Sequence, residues 1–443
     1  MPGGLRTDLY ELNMAASFLR RGMTADATFS LYVRDMPKER GFLVAAGLED
    51  ALRFLDSFSF TDEELAYLAT IGFDDRAIED FRGVRFDGDV WAVPEGRIVH
   101  AKEPILEVTA SIAVAQLVET VLLNQVMVHT TIASKAARYV IAAEDRGLVD
   151  FSFRRTHGVE AARAAARASA IVGFQATSNV EAAREFGLPV SGTMAHSFVT
   201  AFDDEEEAFR AFAEDHPNRT TFLVDTYDTL HGIGNAIEVI REVHPTGEVG
   251  VRLDSGDLDR LSREARRMLD RAGLGHARIF ASGGLDEHEV AELVRAGAPV
   301  DAFGIGTQLG VSADVPYIDV VYKLVETDGR PVLKLSPAKA TAPGRKQVWR
   351  GPSEDLLALR DEAAPGPHHE PLLQPVMRAG RRLGDPPTLE EMRERFRKDL
   401  AGLPVKAARL THPEHVIAHR SDALAALTAQ TAEEVRRRLR ASD

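Results

Sequence analysis

The chain has 443 residues, 44% of them hydrophobic, enough to bury a large core and to form two or three domains. It has no cysteine, which excludes thiol catalysis, disulfides and cysteine–zinc sites. The formal charge of −15 argues against a nucleic-acid-binding protein, which needs a basic stripe, but leaves room for a local positive pocket that takes anionic small molecules.

No apolar run approaches the roughly 18 residues of a membrane span, and "MPGGLRTDLYELN" is not the pattern of a signal peptide. A cytoplasmic enzyme is the expectation. Residues 1–85 read as helices joined by short loops, with Thr61 and Glu64 spaced as a capping box. Residues 86–109 read as short strands broken by Gly88, Pro94, Gly96 and Pro104, and residues 113–144 as one or two buried helices.

The middle of the chain is more regular. Strand candidates lie at 149–154, 170–177, 189–198, 220–226, 248–255, 277–283 and 300–307, with a further one at 317–325. Helical segments at 158–168, 203–214, 257–272 and 286–296 fall between most of them. Strands alternating with helices imply parallel βαβ units, and seven or eight of them favour a closed barrel over a doubly wound sheet. Beyond 325 the chain returns to short strands and basic turns, then to charged helices such as 388–400 and 431–441. The expected organisation is an N-terminal α+β domain over 1–130, an α/β barrel over 131–325, and a C-terminal segment over 326–443 that returns to the first domain.

Unusual polar residues recur at the C-terminal ends of these strands: Arg154 and Arg155, Thr177 and Ser178, His196, Asp225, Asp254, Ser282, then Gly304 and Gly306. A parallel barrel gathers those ends on one face, where its active site is built. "ASGGLDEHEV" sets Ser282, Gly283 and Gly284 before a helix start, and "FGIGTQLG" supplies Gly304, Gly306, Thr307 and Gly310; such turns converge backbone N–H groups on a phosphate. The second loop is no dinucleotide fingerprint, and no Walker A lysine motif is present. Asp228 and Asp257 read as helix-start charges. Arg154 and Arg155, if extended, point to opposite faces, so one alone faces the site. The spacing in "PHHEP" (367–371) and "THPEH" (411–415) fits no standard zinc pattern, and these read as exposed loop histidines.

Taken together, "TDLYELNMA" (7–15), "RRTHG" (154–158), "FQATSNVEAAREFGLPVSGTMAHSFV" (174–199), "LVDTYDTLHG" (223–232), "GVRLDSGDL" (250–258), "ASGG" (281–284) and "FGIGTQLG" (303–310) resemble nicotinate phosphoribosyltransferases. "YKLV" and "KLSPAKATAPGRKQVWR" carry the likeness to about residue 350, whereas the last ninety residues are far less diagnostic. The resemblance implies an irregular (β/α) TIM-like barrel with a second, smaller β-containing α+β domain built from both chain ends. It implies the conversion of nicotinate, phosphoribosyl pyrophosphate, ATP and water to nicotinate mononucleotide, pyrophosphate, ADP and phosphate, with Mg²⁺, in NAD salvage. It makes His196 the transiently phosphorylated histidine, oriented by Asp225 or Asp254, with Asp225 favoured. Arg252 and Asp254 then bind ribose, Mg²⁺ and pyrophosphate, and Ser282, Gly283, Gly284, Gly304, Gly306 and Thr307 cradle the 5′-phosphate. Arg154 and Ser197 surround the nicotinate carboxylate. Tyr10, with Asp8 beside it, is expected to reach a second subunit's pyridine site in a homodimer with shared active sites. Ser178 stands where nicotinamide-specific relatives place an aspartate; a serine can donate to a carboxylate that an aspartate would repel. A nicotinamide or quinolinate enzyme, or a non-catalytic metabolite-binding relative, are the alternatives; the second carboxylate of quinolinate asks for more basic residues than the motifs supply.

Overall fold

The computed structural model describes residues 3–335, 341–352 and 354–441. Residues 336–340, within the "KLSPAKATAPGRKQVWR" stretch, lie outside the described residues. The fold is mixed α/β, and the chain divides into two compact units, one of residues 1–131 and 317–443 and the other of residues 132–316.

The unit of residues 132–316 is a six-stranded parallel sheet. Its order is Ala176–Thr177, Gly147–Asp150, Ala302–Ile305, Arg278–Ala281, Glu248–Leu253 and Arg219–Leu223. Between strands the chain crosses over through helices Val159–Val172, Val180–Phe186, Glu205–Asp215, Thr229–Val243, Leu258–Arg271 and Glu287–Arg295. Phe222, Val251, Leu253 and Ile279 are fully buried, among the residues that hold the sheet to its helices. Each such side chain contributes about 1.5–3 kcal/mol of burial. The helix starts are set by side chains that accept N–H groups: Asp228 from His231, Asp257 from Arg260, and Asp286 from Glu289 in a capping box. Asp228 and Asp257 thus do what helix-start charges are expected to do.

Several sequence expectations are corrected here. The run 170–177 is not one strand: its alanine-rich first half completes the helix Val159–Val172, which Gly173 ends at φ +126 before a two-residue strand. The segment 189–194 makes a single parallel bridge, Val190 to Thr177, and no continuous ladder. The candidate at 317–325 is no part of the parallel sheet. Its alternating residues form Val320–Thr327, which pairs antiparallel with Asp26–Val33 in the other unit.

That other unit is the larger of the two rather than the smaller, because both chain ends feed two antiparallel-rich sheets. The seven-stranded sheet is centred on Asp26–Val33 and Pro104–Ser111, and Phe29 stacks on Tyr322 with ring centroids 4.7 Å apart. Asp26–Val33 is a strand inside a region whose sequence reads as helices and loops; its "DATFSLYV" is β-branched and aromatic, and it is buried along most of its length. A four-stranded sheet adds Lys346–Arg350, Asp355–Leu359, Glu370–Pro371 and His419–Arg420. The capping box of Thr61 and Glu64 forms as its spacing predicts. No described helix is long and apolar enough to cross a membrane.

Candidate active site

The strand ends of the parallel sheet converge on one arginine. Arg252 sits between Val251 and Leu253, whose side chains go to the opposite face of the pleat, so its guanidinium projects to the other side of the sheet. It is 9% exposed and donates to Ser282 Oγ (2.8 Å), to Asp254 Oδ1 (2.6 Å), and to Thr193 Oγ1 (3.2 Å) and the Met194 carbonyl (3.4 Å). It also lies over the Phe151 ring, 5.6 Å from the centroid. One planar fork therefore ties together the loops that follow two strands and the 193–194 segment, a geometry a lysine cannot reproduce.

Asp254 is the second node. Ser282 Oγ donates to the same Oδ1 that Arg252 holds, leaving Oδ2 facing His196 Nε2 at 4.0 Å. Burial raises this carboxyl, but the bonds from Ser282 and Arg252, with His196 nearby, outweigh burial and hold it below the usual carboxylate range. His196 opens the short helix His196–Val199, is about half exposed (47%), and has Nδ1 3.2 Å from Thr226 Oγ1. Asp225, the residue favoured for orienting this ring, is turned elsewhere. It accepts the Asp254 N–H (3.1 Å) and the Ser255 hydroxyl (2.5 Å), and its Oδ1 is buried without a hydrogen-bond partner among the described residues. The groups beside the imidazole are Thr226 and Asp254.

The glycine turns stand where close approach demands them. Gly283 has φ +109, and a Cβ there would lie 1.9 Å from the Asp254 carbonyl oxygen, so only glycine lets this loop reach Asp254. At Gly304 a Cβ would strike the rings of Phe151 (2.6 Å) and Phe280 (2.8 Å). Gly284 has open space at its Cβ position, Gly306 lies near the Phe151 carbonyl, and Thr307 is exposed at the start of Thr307–Gly310. Arg252, Asp254, Ser282 and Gly283 are thus joined directly, His196 faces Asp254 across 4.0 Å, and Gly304 and Gly306 join them through Phe151. Ser178 lines a separate cavity shared with Thr193, an Arg252 partner, and with Arg219. Ser197 is exposed beside His196. Arg154 and Arg155 lie on the turn Phe153–Arg155 rather than on a strand, so the alternation rule does not divide them, and both are exposed.

Tyr10 belongs to the other unit. It lies in the first turn of Leu9–Arg20 and is half exposed, with Leu9 and Met14 also exposed on that helix. Its phenol is pushed up by burial and by the carboxylates of Glu119 and Glu11. Glu11 is itself fully buried, takes hydrogen bonds from Thr7 and Thr120, and is raised by burial to about 7. Asp8 accepts from Thr120 Oγ1 (3.1 Å).

Three features were missed at the sequence level. Phe151 is unremarkable in a strand pattern. Asp150, buried at a strand end, accepts from Thr177 (2.7 Å) and the Ser152 N–H (2.8 Å), and burial raises its carboxyl against those bonds. In the larger unit, Arg34, Lys102, Lys323, Lys334, Lys346 and Arg420 line one recess with a single lining carboxylate, Asp35. Its cations are scattered from residue 34 to 420, and the only signal for it is the basic character of residues 323–346.

A parallel sheet with a buried arginine, two aspartates and tight glycine turns at its strand ends is the arrangement of an α/β enzyme site. Comparison with known proteins narrows the class. Residues 5–127 match the model of the nicotinate phosphoribosyltransferase N-terminal domain, and residues 147–400 match that of the nicotinate phosphoribosyltransferase family. The nicotinate phosphoribosyltransferase pncB2 of Mycobacterium tuberculosis is 47% identical over 410 residues, 91% of this chain and 88% of that protein. The Bacillus subtilis nicotinate phosphoribosyltransferase is 45% identical over 375 residues, covering 81% and 76%. The crystal structure of the human nicotinic acid phosphoribosyltransferase superposes with a TM-score of 0.86 at 29% identity, covering 96% of this chain and 99% of that one. The chain belongs to the nicotinate phosphoribosyltransferase family.

Proposed function

We propose that this enzyme transfers the phosphoribosyl group of phosphoribosyl pyrophosphate to the ring nitrogen of nicotinate in NAD salvage, coupled to ATP through a phosphohistidine at His196. The observation that carries the reading is the Arg252 fork, which assembles Asp254, Ser282 and the 193–194 backbone beside an accessible imidazole. In the transfer, the C1–oxygen bond to pyrophosphate breaks as the C1–nitrogen bond to nicotinate forms. Arg252 and the Gly283–Gly284 and Gly304–Gly306 turns offer donors to phosphate oxygens and keep them fixed as charge moves to the leaving group. In the coupling step, His196 takes the γ-phosphoryl group of ATP, ADP leaves, and water later releases phosphate. Asp254 presents Oδ2 to the ring from 4.0 Å. The cationic recess of the larger unit offers a further place for a phosphate-bearing co-substrate.

No group of three or more His, Asp or Glu that could hold a metal occurs among the described residues. The unpaired Asp225 Oδ1 next to Asp254 nonetheless fits Mg²⁺, which takes one or two carboxylates and completes its shell with water and substrate phosphate. When bound, the ion would neutralise charge developing on the pyrophosphate.

The same reading treats the sheet together with the 190–194 segment as an irregular barrel, and the enzyme as a cytoplasmic homodimer. Exposed Leu9, Tyr10 and Met14 form an apolar stripe suited to a second copy, whose pyridine ring site Tyr10 would complete. Arg154, Ser178 and Ser197 serve the nicotinate carboxylate. The test is an assay of purified protein with nicotinate, nicotinamide and quinolinate, each with and without ATP. The expected result is mononucleotide from nicotinate, faster with ATP; mononucleotide from another pyridine but none from nicotinate would overturn the reading.

A further inference from the structure

Arg154 and Ser178, which serve the pyridine carboxylate in the proposed function, stand on different turns, and both turns rest on one buried group that the reaction leaves unused. Asp150 ends the strand Gly147–Asp150 and is 1% exposed. Its Oδ1 accepts the Ser152 N–H (2.8 Å) and its Oδ2 the Thr177 hydroxyl (2.7 Å), while its carbonyl accepts the Ser178 N–H (2.8 Å).

Each side-chain contact sets a turn. Ser152 is fully buried, and its carbonyl accepts the Arg155 N–H (2.8 Å), the Thr156 N–H (3.0 Å) and the Thr156 hydroxyl (3.0 Å). The turn Phe153–Arg155, which carries Arg154, therefore hangs from Ser152. On the other side, buried Thr177 accepts the Asn179 N–H on Oγ1 (3.0 Å), and Asn179 caps the helix Val180–Phe186 by accepting the Ala182 N–H. Half-buried Ser178 sits between these two residues and lines the cavity it shares with Thr193.

Packing alone does not explain an aspartate here. Burial raises its carboxyl against the bonds from Ser152 and Thr177, and no ion pair involves it among the described residues. A carboxylate sealed from water without a cation costs stability that an apolar side chain would not. What the carboxylate supplies is two acceptors on one plane, each turned to a donor on a different turn.

The geometry points to Asp150 as a positioning residue that fixes the spacing of Arg154 and Ser178, and so sets the preference of the site for a pyridine carboxylate over a pyridine amide. The inference rests on the assignment of those two side chains to the nicotinate carboxylate. A guanidinium and a hydroxyl must meet the oxygens of one carboxylate together, and binding groups lose effect when held more than about 0.5 Å out of place. A neutral amide gains less from the cation and loses less when the turns shift.

Three variants test this by steady-state kinetics with nicotinate and with nicotinamide. Asp150→Asn offers one acceptor oxygen to two donors. Thr177→Val keeps the shape of the side chain without its hydroxyl, and Thr177→Ser keeps the hydroxyl. Asp150→Asn and Thr177→Val should raise the KM for nicotinate about tenfold and lower the nicotinate-to-nicotinamide ratio of kcat/KM by about as much. The KM for phosphoribosyl pyrophosphate should stay within about twofold, and Thr177→Ser should keep the unsubstituted ratio. A loss of turnover shared equally by both pyridines in Thr177→Val would leave Asp150 a structural support and overturn the inference. A ratio lowered as far in Thr177→Ser would overturn it too. An unsubstituted protein that uses nicotinate no better than nicotinamide would instead overturn the proposed function, and this inference with it.

Discussion

Arg252 makes the site a single object, because each of its nitrogens is committed to a different loop. A lysine there keeps the charge but can form only part of the set. Arg252→Lys should therefore raise the KM for phosphoribosyl pyrophosphate roughly tenfold or more while the protein stays folded, as steady-state kinetics beside circular dichroism would show. Ser178 carries the proposed choice of acid over amide. Ser178→Asp should raise the KM for nicotinate by about one to two orders of magnitude through like-charge repulsion in a confined site, with a smaller effect on nicotinamide. Equal effects on both pyridines would contradict that role. At this scale much was legible, since Asp254 and Ser282 directly follow strands as strand-end polarity put them, although His196 opens a short helix instead of ending a strand. The partner of His196 was not: which of two aspartates turns toward the ring depends on the Asp254 N–H and Ser255 hydroxyl that capture Asp225, contacts no spacing rule encodes.

Among the elements, the helix Glu287–Arg295 follows the Gly283–Gly284 turn and is anchored by a buried ion group. Fully buried Glu287 accepts from Lys135 (2.5 Å) and Arg138 (2.7 Å), and Lys135 also meets Asp314 (2.9 Å). Burial raises the Glu287 carboxyl, yet Lys135 and Arg138 outweigh it and leave the group below its ordinary value. Its contribution to stability is therefore complete above the unfolded value near 4.3 and fades as pH falls through the lower folded value. Glu287→Gln leaves two buried cations short of charge and should cost about 3–5 kcal/mol at pH 7, less toward pH 3, in denaturant unfolding. A pH-independent difference would contradict this account. Nothing in the sequence singles out Glu287, because the cations it meets lie about 150 residues earlier. The run 170–177 misled for a local reason. Ala170, Ile171 and Val172 suit a buried strand and a buried helix equally, and Gly173 marks the boundary only once its positive φ is known.

For the whole molecule, the chain builds its larger unit from both ends and its parallel sheet from the middle. The βαβ rhythm of the middle was readable because period, caps and glycine turns agree. The antiparallel sheet was not, since Asp26–Val33 finds its partner about 290 residues later, in Val320–Thr327. The exposed stripe around Tyr10 carries the claim of shared sites. If the sites are shared in the proposed homodimer, the Tyr10→Ala and His196→Ala proteins should each lose the ATP-stimulated part of turnover. Equilibrated together in equal amounts, they should recover about a quarter of that part, since half the dimers then hold one intact site. No recovery on exchange, with mixed dimers shown to form, would place Tyr10 in its own chain's site.

The central claim is that the strand-end imidazole couples ATP to phosphoribosyl transfer, and the ATP dependence of turnover in the His196→Ala variant tests it most directly. The account predicts that this variant still forms some nicotinate mononucleotide from nicotinate and phosphoribosyl pyrophosphate, at a rate that ATP leaves unchanged and with no ATP hydrolysed. A variant stimulated by ATP as fully as the unsubstituted enzyme would contradict it.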